Sequence, residues 1–370
     1  MTLRTYIAES ISPHAELWDR EERIPRAVLT ELGAHGLLGA SVPADQGGSP
    51  GTVLDWGDAL EAIGEASMSL LSVLTVHSMC SFAVARWAEA DAQKDWLADL
   101  VSGKKLGGFA LSEPSVGSDA KAVTTRLEDA GDNWKITGTK RWISASEMVD
   151  VFLVLGQSAQ GPTAVLVPRE SAGLTIAPIT GLLGFRAARQ CEVTFNAVVV
   201  PKRWTLAGQG MGFSHVANSA LDVGRFCIAC GTTGLIRACV RASVDYARSR
   251  RQFDVMLSQH QLIQAMIADM STAYLAAHAL WRQAAQSRQQ SDPASIMETT
   301  TAKYFATTAC ARAATDAVQI HGANGCGPEY PVQRYFRDAR VTELIEGSNQ
   351  IQQLMIAQDA LCAFASPRRR

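Results

Sequence analysis

The chain has 370 residues, 47% of them hydrophobic and 19% charged, with a formal net charge of −2. That length accommodates two or three ordinary domains with large cores, and the modest charge content excludes wholesale disorder. A near-zero balance, whose only strongly basic run is the terminal Pro367–Arg370, gives no footprint of a nucleic-acid partner or an anionic membrane surface.

Residues 1–105 read as helical. Beyond Ile24, Pro25 stands near a first turn, apolar residues recur three and four apart, and Gly33 lies near the end. The stretches 53–63 and 70–87 repeat this periodicity, and the Gly/Ser/Pro segment 47–51 is a loop. From 106 to 206 the period changes. Short β-branched runs at 122–128, 133–138, 149–155, 163–167, 174–178 and 191–195, separated by turn residues, predict a small β-barrel or sandwich. Long periodic stretches at 214–249, 259–286 and 296–320 predict a helical bundle from 207 to 370. The expected fold is α+β: an N-terminal helical domain (1–105), a central β domain (106–206) and a C-terminal four-helix bundle (207–370).

The eight cysteines follow no framework spacing. Cys227 and Cys230 form a C-x-x-C inside an Ala/Gly/Ile-rich helical stretch, with no second pair or histidine cluster to complete a zinc site. Reduced, mostly buried thiols in a cytoplasmic protein are expected. The first residues lack a basic start followed by an apolar run, so no signal peptide is expected, and no run of 18 apolar residues suggests a membrane span. Gly208, Gly210 and Gly212 follow no clear buried strand and do not read as a dinucleotide fingerprint.

The most informative stretch is 319–352. Glu346 stands immediately before Gly347 in a short break between two helical patterns. There a carboxylate is held close to the backbone, and Gly347 lets a ligand approach the main chain. This suits a general base, although a surface or capping carboxylate fits the same residues.

Four blocks, in order, carry a resemblance to a known family. Residues 107–119 resemble a flavin-binding signature, A-x-[ST]-E-P-x-x-G-S-D. Residues 135–144 resemble a K-x-W-I-[ST] strand. Arg250–Phe253 with Gln261 resembles an R-x-x-F…Q segment, and 319–352 resembles a catalytic C-terminal segment. Together they resemble the acyl-CoA dehydrogenase family of flavoproteins over nearly the whole chain.

The resemblance implies FAD as cofactor and an acyl-CoA or acyl-carrier-protein thioester as substrate. A carboxylate removes the α proton, the β hydrogen leaves as hydride to flavin N5, and hydrogen bonds from a backbone N–H and a flavin ribosyl hydroxyl stabilise the thioester carbonyl. Glu346 matches the base. Some relatives carry the base just before an Arg in the bundle; here that Arg is Arg225, preceded by Gly224, which cannot serve. Flavin contacts are implied for Phe109, Leu111 (through backbone), Ser112, Gly117, Ser118, Trp142, Ser144 (hydroxyl near N5), Ser348 and Gln350. Arg250, Phe253, Gln261, Gln319 and Gly322 match residues that bind the adenosine end across a subunit interface, so a homodimer or homotetramer is implied. Asp222, Arg225, Ile345 and Gly347 are implied on the substrate side, His77 falls near the implied pocket floor, and an electron-transfer flavoprotein or similar acceptor is the implied redox partner.

Three positions depart from the family pattern: Ile345 for a frequent Tyr, Ala323 for a Gly, and Asp254 for a Gly. They point to a divergent member. Oxidation of a carrier-tethered acyl or hydroxyacyl unit, a flavin oxidase or monooxygenase on the same scaffold, and a helical binding protein without flavin are the competing readings.

Overall fold

The computed structural model describes residues 2–364, so the basic run Pro367–Arg370 lies outside the described residues. The chain divides into two compact units, one of residues 1–51 and 69–224, the other of residues 52–68 and 225–370. This differs from a division into three consecutive parts. The central strands share a unit with most of the N-terminal helices, and the Val53–Ala66 helix belongs with the bundle.

In the first unit the strands are β1 (Gly107–Ala110), β2 (Arg126–Ala130), β3 (Asn133–Ile143), β4 (Val151–Ser158), β5 (Gly161–Pro168), β6 (Leu174–Pro178), β7 (Cys191–Pro201) and β8 (Thr205–Leu206). They form one mixed sheet in the order β6-β7-β3-β2-β4-β5-β8, with β1 running parallel to β4. Strand β4 is buried at six consecutive positions, which explains its continuous apolar run. Leu153, Leu155 and Leu166 pack with Cys80, Val84, Trp96 and Leu100 in one core. Two register shifts interrupt the pairing of β3 with β7, the second between Lys140 and Ile143. Such an irregularity re-aims a side chain. Trp142 lies inside it with φ 65° and remains 50% exposed.

His77, on the Met68–Trp87 helix, is a core residue rather than a pocket group, with 1% of its surface accessible. Its Nδ1 accepts the N–H of Gly107 at 3.1 Å, so the ring proton sits on Nε2, which lies 3.1 Å from the Leu38 carbonyl. Burial pushes its pKa down to about 4, against the pull of hydrogen bonding to the backbone of Leu38 and Leu100.

Two helices, Met68–Trp87 and Gly212–Ser249, are long and apolar enough by length and composition to cross a membrane, which the sequence reading did not anticipate. Their apolar windows are 94% and 89% buried in the protein, so their composition is that of core helices.

In the second unit the long helices fall within a few residues of the periodic stretches: Asn218–Ser249 (from Arg225 onward), Gln261–Gln289 and Ser295–His321, followed by Val332–Thr342 and Asn349–Ala363. Glu61, on Val53–Ala66, explains why that helix joins them. Its buried carboxylate accepts from Arg237 Nη1 (2.6 Å), His278 Nδ1 (2.7 Å), Trp281 Nε1 (2.9 Å) and Tyr274 Oη (3.2 Å). Backbones touch beside it: a Cβ on Gly64 would lie 2.1 Å from the Gly231 carbonyl oxygen.

His77 makes the first unit acid-sensitive. Above its unfolded pKa of 6.5 the ring is neutral in both states. As pH falls towards 4 the unfolded chain takes up a proton that the folded core refuses, and stability is lost, on the order of 3 kcal/mol in full. Urea midpoints measured between pH 7 and pH 4.5 are expected to fall less steeply in His77→Gln than in the parent protein.

Candidate active site

The loop after β1 is fixed by a buried ion pair. Lys140 Nζ, at 0% side-chain exposure, donates to Glu113 Oε1 at 2.8 Å and to the Leu111 carbonyl at 2.9 Å. Glu113 also accepts from the backbone N–H and hydroxyl of both Thr124 and Thr125, at 2.6 to 2.9 Å. Burial alone would raise Glu113, but the hydrogen bonds from Lys140 and Thr124 outweigh it and hold the carboxyl at about 2. The Arg141 N–H takes the Ser112 carbonyl at 2.9 Å, and Glu113 and Val116 close a tight turn with reciprocal backbone bonds.

Ser112 is thus clamped on both sides while its hydroxyl makes no hydrogen bond among the described residues. Gly117 and Ser118 are exposed, with nothing within 4 Å of where a Cβ on Gly117 would sit. The guanidinium of Arg141 lies 5.1 Å from the Trp142 ring centre. Ser144 is buried and its hydroxyl pairs with Ser72 Oγ at 3.1 Å, leaving capacity for further hydrogen bonds. Phe109 is half-buried with its ring against the core of the unit, and Leu111 is buried with its carbonyl already taken. A half-exposed indole, a free hydroxyl and an unobstructed Gly-Ser backbone fit a planar cofactor with a phosphate tail.

In the second unit, Glu346 and Gly347 occupy consecutive left-handed conformations, with φ 54° and 85°. Only the second is glycine, so the carboxylate residue carries the strain, of order 1–3 kcal/mol. Arg225 Nε donates to the Glu346 carbonyl at 3.2 Å, and Lys303 Nζ to the Gly347 carbonyl at 3.0 Å. Gln352 Nε2 reaches both, at 3.4 and 3.1 Å. Glu346 is partly accessible as a residue, but its Oε2 is shielded from solvent and has no hydrogen-bond partner. Burial pushes its pKa up to about 7, opposed by the charges of Arg225 and then Lys303. Ile345 is half-buried beside it. Ser348, at the N-cap of Asn349–Ala363, makes no side-chain capping bond, and Gln350 is exposed in the first turn. Asp222 is half-buried three residues before Arg225 on the Asn218–Ser249 helix, within the first unit.

The predicted adenosine residues gather at one end of the second unit. Tyr246, one turn before Arg250, stacks on His321 with ring centres 4.2 Å apart, which brings the end of one long helix to the end of another. Arg251–Gln252 pairs with Val255–Met256, and Phe253 and Asp254 form the hairpin corner with φ 53° and 64°. Phe253 is 90% exposed at that tip. Gln261 opens the next helix, exposed, and Gln319 is exposed in the last turn before Gly322, which has φ 58° and nothing within 4 Å of a Cβ position.

Glu113 and Lys140 are the E and the K of the motifs A-x-[ST]-E-P-x-x-G-S-D and K-x-W-I-[ST], though no role was implied for either; Lys303, Asn349 and Gln352 stood outside the implied site residues. A signal for Lys303 was present: it lies on the stripe Thr299, Thr300, Lys303, Ala306, Thr307, Cys310 that faces the core, where a charge needs a partner.

A cradle for a planar cofactor and a desolvated carboxylate at a strained turn are the parts of a flavin-dependent enzyme that acts on a weak carbon acid. Sequence profiles for the acyl-CoA dehydrogenase N-terminal, middle and C-terminal domains match residues 1–104, 108–198 and 210–361. The short-chain specific acyl-CoA dehydrogenase of Mus musculus mitochondria is 35% identical over 99% of this chain and 90% of its own. Among solved structures, FkbI, described as acting in biosynthesis of the methoxymalonyl extender unit of the polyketide Fk520, is 32% identical. It superposes with a TM-score of 0.90 over 97% of this chain and 99% of its own. A glutaryl-CoA dehydrogenase from Mycobacterium smegmatis in complex with FADH2 is 25% identical, with a TM-score of 0.91 over 99% and 94%. The chain belongs to the acyl-CoA dehydrogenase family, FAD-dependent enzymes that oxidise the CH–CH group of acyl thioesters.

The Glu113–Lys140 pair can be broken selectively. Lys140→Met leaves a buried carboxylate without its counter-ion and is expected to cost about 3–5 kcal/mol in urea unfolding. The double variant Lys140→Met with Glu113→Leu is expected to recover a large part of that loss.

Proposed function

We propose that Glu346 is the general base that takes the α proton of a small acyl thioester, with the β hydrogen leaving as hydride. Bound FAD supplies the hydride acceptor. The observation that carries this reading is the shielded, unpartnered Oε2 of Glu346, on a turn whose carbonyls are both drawn away by Arg225, Lys303 and Gln352. With the carbonyls held inward, a thioester carbonyl can be met by backbone N–H groups of the turn. Gly224, at the alternative base position, offers no carboxylate. Ser112, Gly117, Ser118, Trp142 and Ser144 hold the flavin and its phosphate tail in this reading. Asp222, Arg225, Ile345 and Gly347 shape the substrate side. The 90% exposure of Phe253, at the tip of a two-stranded hairpin that follows Arg250, supports a homo-oligomer in which this tip, with Gln261, Gln319 and Gly322, covers the adenosine end of a neighbour's FAD. Electrons leave to an electron-transfer flavoprotein or a similar acceptor.

Below about pH 7 Glu346 already carries a proton and cannot accept another, so kcat/KM is expected to rise with pH through that value. Glu346→Gln preserves size and polarity but cannot take the proton. Anaerobic flavin bleaching by thioester is expected to fall by more than the ~10²–10⁴-fold typical of base catalysis, with about one FAD per chain retained. Bleaching at a near-parental rate would refute the assignment.

A second reading, oxidation of an acyl or hydroxyacyl unit carried on a phosphopantetheine arm, is favoured by the likeness to FkbI at 32% identity over nearly both chains. Side-by-side flavin reduction by butyryl-CoA and by the same acyl group on a carrier protein separates the two. A kcat/KM at least tenfold higher with the carrier is the outcome expected of the second reading.

A further inference from the structure

The Ser295–His321 helix turns one face to the core, and in the middle of that face stands a lysine. Lys303 has none of its surface accessible, and its ammonium donates two hydrogen bonds to the segment that carries Glu346. Nζ donates to the Gly347 carbonyl at 3.0 Å and to Asn349 Oδ1 at 3.0 Å. Asn349 is itself locked: Thr307 Oγ1 donates to the same Oδ1 at 3.0 Å, its Nδ2 reaches Thr308 Oγ1 at 3.2 Å, and its backbone N–H closes on the Glu343 carbonyl at 2.9 Å. Lys303 therefore holds the far side of a turn in which two successive residues have positive φ. An aliphatic residue would suit an Ala/Thr/Cys stripe better, so a buried ammonium here needs a reason other than packing.

We propose that Lys303 is a positioning residue for the proton-transfer step, fixing the Glu346–Gly347 turn through the Gly347 carbonyl and stabilising the ionised form of the Glu346 carboxylate by its charge. This rests on Glu346 being the base. Within the second unit, the charged groups that bear on the pair are Arg225 from the Asn218–Ser249 helix and Glu343 from the end of Val332–Thr342, with Asn349 and Gln352 as neutral neighbours. Burial lowers the Lys303 pKa to about 7, opposed first by Glu346, and Lys303 in turn opposes the upward push of burial on Glu346. Each charge favours the other, so removing the ammonium leaves Glu346 harder to ionise.

The roles of tether and charge separate by substitution. Lys303→Gln keeps a donor for the Gly347 carbonyl and loses the charge; Lys303→Met loses both; Lys303→Arg keeps the charge. The FAD-loaded proteins are titrated from pH 5.5 to 9.5 with acetoacetyl-CoA and acetoacetyl-pantetheine. Their α-methylene, flanked by two carbonyls, is deprotonated without being oxidised and is followed by enolate absorbance. FAD content and the urea midpoint are recorded alongside, and butyryl-CoA bleaching provides the turnover profile. The expected result is a deprotonation midpoint about one pH unit higher in Lys303→Gln and Lys303→Met, close to the parent in Lys303→Arg, with FAD content unchanged. Lys303→Met is also expected to lose maximal bleaching rate relative to Lys303→Gln. If Lys303→Met does not fold, Gln against Arg carries the comparison. An unmoved midpoint in Lys303→Gln, with Glu346→Gln unable to bleach with butyryl-CoA, overturns the role of Lys303 alone. Bleaching by butyryl-CoA at a near-parental rate in Glu346→Gln instead overturns the base assignment and everything built on it.

Discussion

A charge removed from water must be met by other groups, and this protein treats its buried carboxylates in two opposite ways. Glu113 and Glu61 are saturated. The first has five hydrogen bonds from two threonines and Lys140; the second has four from Arg237, Tyr274, His278 and Trp281. Glu346 is left short, with one oxygen shielded and unpartnered and its nearest cations spent on backbone carbonyls. The first arrangement makes structure, because each donor ties a different segment to one point. The second makes reactivity, because a carboxylate denied solvent and donors holds a proton more tightly and takes it with greater driving force. Satisfied carboxylates fix the scaffold so that an unsatisfied one can persist on it.

The three departures from the family pattern have different structural weights. Asp254 stands at a hairpin corner that demands positive φ, and Asp is among the few side chains that tolerate it, so the exchange for Gly is conformationally mild. Ala323 is milder still. The left-handed position of that turn is Gly322, and Ala323 does not share it. Ile345 is the consequential one. It puts an aliphatic side chain where the family often has an aromatic ring, next to the Glu346–Gly347 turn, without touching the contacts that hold that turn.

Much of this was legible in the sequence. The helical stretches read correctly because amphipathic periodicity is a direct record of burial, as in Gln261–Gln289 and Ser295–His321. Strands β4 and β5 read correctly because they are apolar runs of strand length, whereas the run at 122–128 meets β2 only from Arg126 onward and the short β1 and β8 were not expected. The arrangement of the strands in one mixed sheet did not follow, since pairing order depends on contacts far apart in sequence. Nor did the membership of Val53–Ala66 in the bundle, which depends on one glutamate meeting partners in another part of the chain. Two helices hydrophobic enough to suggest a membrane show the converse failure, composition without context. Of the site, Glu346 was visible from Gly347 and the family motif. Lys303 was visible only as a charge on a face that periodicity assigns to the core, while Lys140 and Glu113 stood as letters of two separate motifs whose pairing the sequence did not disclose.

The Glu61 cluster also has a temporal side. Its hydrogen-bonding partners follow it by 176 to 220 residues. At ribosomal rates of about 5–20 residues per second, that gap corresponds to roughly ten to forty seconds. Throughout it the Val53–Ala66 helix, 14 residues long and too short to be stable alone, has been synthesised but has nothing to dock on. The intervening chain contains residues 69–224, which complete the first unit begun by residues 1–51, and that unit can gather its own sheet and core meanwhile. The nascent first unit thus carries, between its N-terminal helices and the rest of its chain, a segment whose buried carboxylate has no partner until the bundle is made.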